Sequence, residues 1–150
     1  METQLNPYHL ERFVEAQEPI YTTALAELRN GQKRTHWMWY IFPQIEGLGF
    51  SVTSKYYALK NLDEARRYLA HPILGERLRE CCNALLRVQG RTAYQIFGSP
   101  DDLKLKSCMT LFSEAAEEPE VFTEVLEEYF KGQKDQRTLD ILAELKEQLR

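Results

Sequence analysis

Between Pro72 and Gly90 the chain sets Leu74, Leu78, Cys81, Leu85 and Val88 at alternating steps of four and three residues. Side chains spaced this way fall on one face of an α-helix, whereas a strand turns its side chains to opposite faces at every residue and would scatter them. Proline suits the first turn, where its missing N–H costs nothing, and glycine supplies the backbone geometry in which helices end. The same punctuation recurs along the sequence. Asn6-Pro7 reads as a cap and first position ahead of Leu10, Phe13 and Val14. Ile20, Tyr21, Ala24, Leu25 and Leu28 repeat at helical spacing before Gly31, and Leu62, Ala65 and Leu69 do so before His71 and Pro72. Thr92 to Phe97, closed by Gly98, is a short turn or helix. Ser99-Pro100-Asp101-Asp102 combines a serine cap, a proline at the first position and acids against the positive end of the helix dipole. Pro119 opens a helix carrying Val121, Phe122, Val125, Leu126, Tyr129 and Phe130 that Gly132 stops, and Asp135 can cap the last, with Leu139, Leu142, Leu145 and Leu149. No segment sustains strict alternation with hairpin turns. The expectation is one all-α domain over residues 1–150, a compact multi-helix fold of about eight helices.

A chain of 150 residues with 43% hydrophobic and 28% charged residues can bury an ordinary core without metal or disulfide staples. Lysine and arginine total 19 against 23 acids, a net charge of −4, which disfavours a nucleic-acid binder that relies on neutralising phosphates. Apolar runs fall far short of the roughly 18 residues of a membrane span, and the N-terminal METQLNPYHLERF lacks a signal peptide's basic-then-apolar pattern. The three cysteines, Cys81, Cys82 and Cys108, are odd in number and two are adjacent, so they read as small packing residues of a reducing compartment. His9, His36 and His71 are scattered and show no metal-ligand spacing. The chain is therefore expected to be cytoplasmic, with no membrane or nucleic-acid partner, no metal and no cofactor.

Thr35 to Ser54 breaks the plain pattern. His36-Trp37-Met38-Trp39-Tyr40-Ile41-Phe42-Pro43-Gln44 holds both tryptophans of the chain, and the run is too short for periodicity to separate helix from strand. Ile45 to Ser54 follows as a loop, its Gly47-Leu48-Gly49 lacking the context of a phosphate-binding fingerprint. One reading makes the aromatics core, above all Trp37, Ile41 and Phe42. The other sees aromatic faces beside Lys33, Arg34, His36 and Gln44, with Tyr57 downstream, a combination that suits a planar anionic ligand. His36 could act there as an acid or base, or be satisfied by a neighbouring backbone group. His71 belongs to a helix junction, and His9 is expected on the surface.

From Asp101 to Phe112, Leu105, Cys108, Met109 and Phe112 share a stripe while Leu103, Ser107, Thr110 and Leu111 point elsewhere, as on a central helix packed on both sides. Ser107 and Thr110 would then bond back to carbonyls one turn earlier or line an internal pocket with Lys104. Glu114, Glu117 and Glu118, like Glu127 and Glu128, read as solvated faces.

Several of these runs resemble the hallmarks of domain of unknown function family 1810. They are Lys33 to Gln44 with Gly47-Leu48-Gly49, Leu69 to Gly75, Ile96 to Lys104, Ser107 to Phe112, and Tyr129-Phe130 with Gly132 and Asp135 to Leu139. The resemblance implies a bacterial, cytosolic, all-helical protein. Some family members carry a "calpastatin" label, which implies a disordered repeat-bearing chain unlike this one. Cys108 stands where many relatives carry serine. Met109 to Leu142 is also similar to the end of the helical family named for NAD and ADP-ribose association.

Together these features lead to the expectation of a domain that binds, and could hydrolyse, an anionic nucleotide-like metabolite such as an ADP-ribose or NAD-related compound. Arg34, Trp37, Trp39, Gln44, Tyr57, Lys104 and Ser107 would form the binding site and His36 the acid–base group. The rival expectation is a non-enzymatic interaction module that presents the tryptophan segment to a protein partner.

Overall fold

The computed structural model describes residues 7–148, and among them the chain forms ten helices. These are α1 (Glu11–Gln17), α2 (Tyr21–Arg29), α3 (Met38–Ile41), α4 (Val52–Tyr56), α5 (Leu62–Ala70), α6 (Leu74–Arg87), α7 (Ala93–Phe97), α8 (Asp101–Ala115), α9 (Glu120–Phe130) and α10 (Gln136–Gln148). The only bridge of strand type among the described residues joins Ile45 to Leu59 in parallel, with Glu46 N–H donating to Leu59 O and Leu59 N–H to Gln44 O, both at 2.8 Å.

The central helix is α8. It packs against α5, α7, α9 and α10, while α6 lies on α2, α5 and α9, and α1 rests on α3. This accounts for the two-sided apolar character of α8: Leu105, Cys108, Met109, Leu111 and Phe112 are all buried, and so are Ser107 and Thr110. The stripe of α6 is seated as its spacing requires, with Leu74, Leu78, Cys81 and Leu85 buried and Val88 half-buried just past the helix end. Thr92 and Gln95 form a reciprocal capping box on α7, and Gly98 closes it at φ 74°, a conformation that costs a residue with a Cβ. Asn61 caps α5 by accepting the Glu64 N–H at 2.8 Å.

Four local expectations change. The helix count exceeds eight because α3 and α4 are single turns of four and five residues, too short to show a repeating stripe in sequence. Val52–Tyr56, expected as loop, is helical behind Ser51, whose hydroxyl accepts the Ser54 N–H at 3.0 Å. At the N-terminus Pro7 precedes α1 instead of starting it, because residues 8–10 form a turn in which Leu10 N–H donates to Tyr8 O at 3.0 Å. Asn6, like Leu149, lies outside the described residues. At α8, Ser99 is not the cap: the Ser99–Pro100 peptide is cis and Pro100 occupies the N-cap position.

Two close fits hold the frame. An ideal Cβ on Gly75 would sit 2.0 Å from the Leu69 carbonyl oxygen, so only glycine lets α6 start this close to the end of α5. Arg12 is buried and donates to Tyr56 O (2.7 Å), His9 O (2.5 Å), Ala58 O (3.0 Å) and Glu64 Oε2 (3.0 Å), while Glu64 Oε1 accepts from Lys60 N–H (2.7 Å). A buried ion pair repays its desolvation only when its remaining donors and acceptors are satisfied, and here they are. It ties α1 to the chain leading into α5.

Candidate functional site

The tryptophan segment is organised from α2. Glu27 lies on the buried side of that helix beside Ala24 and Leu28, only 8% exposed. Its Oε1 accepts the Arg34 N–H (2.9 Å), the Thr35 N–H (3.1 Å) and the Trp37 indole N–H (2.8 Å), and its Oε2 accepts the Thr35 hydroxyl (2.8 Å). Burial alone would raise this carboxyl's pKa, but these donors outweigh it and hold the group below its ordinary value. The acid thus shapes the loop that presents the aromatic block.

Asp101 is the second organiser. Its Oδ2 lies 3.0 Å from the Lys33 ammonium and its Oδ1 3.1 Å from that of Lys104. Burial again works to raise the carboxyl, and the two lysines more than reverse it. Two ammonium groups share one carboxylate, which leaves a surplus positive charge. Lys33 also lies 5.0 Å from the Trp37 ring centroid and Lys104 3.9 Å from that of Trp39, within cation–π range. The segments around 33–39 and 101–104 therefore meet in space, through Asp101.

The expected site residues divide. Lys104 and Trp39 are in contact. Arg34 and His36 are exposed on the same segment; Arg34 Nη2 donates to Gln32 Oε1 at 3.3 Å, and the His36 carbonyl accepts from the Tyr40 hydroxyl at 3.1 Å. Trp37 is 1% exposed, its nitrogen given to Glu27 and its ring tilted against Phe42 and edge-on to Phe97, so no face is open for stacking. Gln44 and Tyr57 join Trp39 around a recess of about 10 Å³, room for a single water and not for a base. Tyr57 instead meets Phe13 and Tyr40 at a tilt and Tyr56 edge-on, at centroid distances of 5.8, 5.3 and 4.9 Å, and burial raises its phenol pKa.

Ser107 belongs to a different junction. Its hydroxyl lies 3.2 Å from Leu103 O and 3.0 Å from Asp135 Oδ2, and that same carboxylate oxygen accepts the Thr138 N–H (3.1 Å) and hydroxyl (2.6 Å). Thr110 bonds back to Lys106 O at 2.8 Å and receives the Asp135 N–H at 2.8 Å. Asp135 caps α10 as its position suggested, and Ser107 and Thr110 fasten that cap to α8. His9 is exposed, and His71 Nδ1 accepts the N–H groups of Ile73 (3.1 Å) and Leu74 (3.3 Å) at the α5–α6 junction, as expected.

Nothing in the sequence singles out Glu27 beyond its being an acid on an otherwise apolar face, and the helix dipole alone accounts for an acid at Asp101. Nor does the sequence point to an open groove of about 810 Å³ beside His71, walled by Arg29, Arg79 and Arg87. No group of three or more His, Cys, Asp or Glu side chains among the described residues is placed to hold a metal ion. No described helix is long and apolar enough to cross a membrane.

Fold and site define a small all-helical domain built around a lysine–aspartate–lysine bridge beside two tryptophans. The chain belongs to the family described as "Protein of unknown function (DUF1810)", whose model matches residues 7–142. It is similar to the conserved hypothetical protein Rv1873 from Mycobacterium tuberculosis, a member of the same family, at 48% identity and a TM-score of 0.91, over 92% of this chain and 99% of that one. No curated protein matches the chain.

Proposed function

We propose that this protein binds an anionic, nucleotide-like metabolite, of the ADP-ribose or NAD-related kind, at the surface where Lys104 lies against Trp39. The observation that carries the reading is the shared carboxylate: Asp101 fixes Lys33 and Lys104 at 3.0 and 3.1 Å and leaves one unit of positive charge beside an aromatic ring. A phosphate would be drawn to that surplus, and a base or ribose would lie against the indole. Arg34 and His36, exposed on the same segment, extend the cationic surface, and His36 supplies the group able to exchange a proton near neutral pH. Gln44 and Tyr57 brace Trp39 from behind, while Trp37 and Ser107 support the frame. The buried, unpaired thiols of Cys81, Cys82 and Cys108 accord with a bacterial cytoplasm.

The test is thermal denaturation with ADP-ribose, run beside Lys104→Ala and His36→Ala. Ligand at a hundredfold its dissociation constant adds about 2.7 kcal/mol, a shift of several degrees for a chain of this size. A shift abolished by Lys104→Ala and reduced by His36→Ala is the expected result. An equal shift in all three proteins would refute the site. The rival reading, a tryptophan face for a protein partner, is left with Trp39 alone, since Trp37 is buried.

A further inference from the structure

The groove beside His71 shares no residue with the Trp39–Lys104 surface, and its volume of about 810 Å³ falls within the range of small-molecule sites. It runs between the C-terminal turn of α2, the α5–α6 junction and the outward face of α6. Along α6, Glu76, Arg79, Glu80, Asn83 and Arg87 succeed one another at helical spacing, so one polar stripe forms a continuous wall. Leu69, Ala70 and Pro72 give the opposite end an apolar surface.

The charges in this groove are already sorted. Glu80 accepts the Tyr21 hydroxyl and lies 4.0 Å from Arg29, so its charge is engaged within the protein. Arg79 folds back to the junction, its Nη1 3.5 Å from Leu69 O and 3.4 Å from Gly75 O. Gly75 makes room for that conformation, because a Cβ there would stand 3.1 Å from Arg79 Nη1. Arg87 is exposed in the last turn of α6. His71 spends Nδ1 on the N–H groups of Ile73 and Leu74, which places its proton on Nε2. Three guanidiniums thus face the groove against two carboxylates, in a chain whose net charge is −4. Glu76 and Asn83 remain as partners for hydroxyl groups.

We propose that this groove is a second ligand site, for a phosphorylated polyhydroxylated small molecule lying along α6, with the phosphate held by Arg87 in the last turn and the hydroxyls by Asn83, Arg79 and Glu76 toward the junction. Guanidinium forks match phosphate oxygens in geometry and charge, whereas a carboxylate such as Glu76 repels a phosphate and accepts from a sugar hydroxyl. A bare anion would meet Glu76 as a like charge, so the sugar portion is what makes the whole groove favourable.

Ribose 5-phosphate is the probe, titrated into the isotope-labelled full-length protein to roughly 10 mM, enough to saturate a site of 1 mM affinity. The expected result is movement of the backbone amides of Ala70, Asn83 and Arg87, undiminished in Lys104→Ala. Arg79→Gln and Arg87→Gln should each weaken binding by about tenfold, the usual cost of one charge-assisted contact. Glu76→Gln should weaken ribose 5-phosphate while leaving inorganic phosphate binding unchanged or stronger. Arg87 is exposed and makes the safer variant for folding, and the glutamine at position 79 keeps a donor for the Leu69 carbonyl. Unmoved groove amides, or full affinity in both arginine variants, would overturn the site. Insensitivity to Glu76→Gln would overturn its polyol half. Because Lys104→Ala removes the charge beside Trp39 and touches no residue of the groove, failure here is distinguishable from failure of the function proposed above.

Discussion

Replacing Glu27 by glutamine removes a charge and almost nothing else. The amide oxygen can take the position of Oε1 and still receive the N–H groups of Arg34, Thr35 and Trp37, now at 2.9, 3.1 and 2.8 Å. The amide nitrogen can donate to the Thr35 hydroxyl, which turns to accept. What is lost is charge assistance in three bonds, about 1 kcal/mol each, offset in part by the relief of a buried charge, leaving a net cost of about 2 kcal/mol. Glu27→Ala should cost more, about 3 kcal/mol, because the Trp37 indole N–H is buried and would lose its partner, whereas the exposed backbone of Arg34 and Thr35 can turn to water. Urea unfolding followed by circular dichroism measures both. The pH dependence then separates charge from shape. The folded-state pKa of Glu27 is depressed, so its contribution is fully present above the unfolded carboxyl value, about 4.3, and is lost as pH falls through the folded value. The gap between wild type and Glu27→Gln should therefore be constant from pH 6 to 8 and close toward zero in acid, as the wild-type carboxyl protonates. A gap below about 0.5 kcal/mol at neutral pH, or one that persists undiminished at the lowest pH where both proteins fold, would refute the reasoning.

Other consequences are more local. Gly75→Ala must move the Leu69 carbonyl from an overlap at 2.0 Å, and because that obstacle is backbone the cost should reach about 3 kcal/mol, read as a lowered urea midpoint at unchanged slope. Glu64→Ala leaves the buried Arg12 guanidinium without its counter-charge and should cost about 3–5 kcal/mol, far more than the exposed Asp63→Ala; equal effects would argue against the buried pair. Burial pushes the Cys81 thiol up to about 12, and Cys82 and Cys108 well above their ordinary value, so DTNB should label none of the three in the native protein and all three in urea. Rapid labelling of one native thiol would show a packing defect around α6 or α8.

The helices that could be read from sequence are those whose information is local. The stripe of α6, the short helix between Thr92 and Gly98 and the cap of Asp135 each rest on residues within or next to the element they define, and all were legible, whereas the capping box of α7 was not singled out. The polar organisation was not, because its partners come from different elements. Asp101 looks like an N-terminal acid until the loop after α2 delivers Lys33 to it. Ser107 shows the same effect in reverse. Its return bond to Leu103 was predictable from spacing, but its link to Asp135 depends on how α10 lies against α8. The two tryptophans make the point most sharply. Composition treats them alike, although the core reading of the segment favours Trp37, and Trp37, Ile41 and Phe42 are indeed buried. In an extended strand, residues two apart share a face, and both rings would have gone to the core or both to the surface. The chain instead enters the single turn of α3 just after Trp37, and near 100° per residue positions two apart point almost oppositely. Trp37 is carried into the core, where Glu27 holds its nitrogen, and Trp39 outward beneath Lys104. A four-residue helix too short to leave a periodic signature therefore determines which tryptophan enters the core and which reaches the surface.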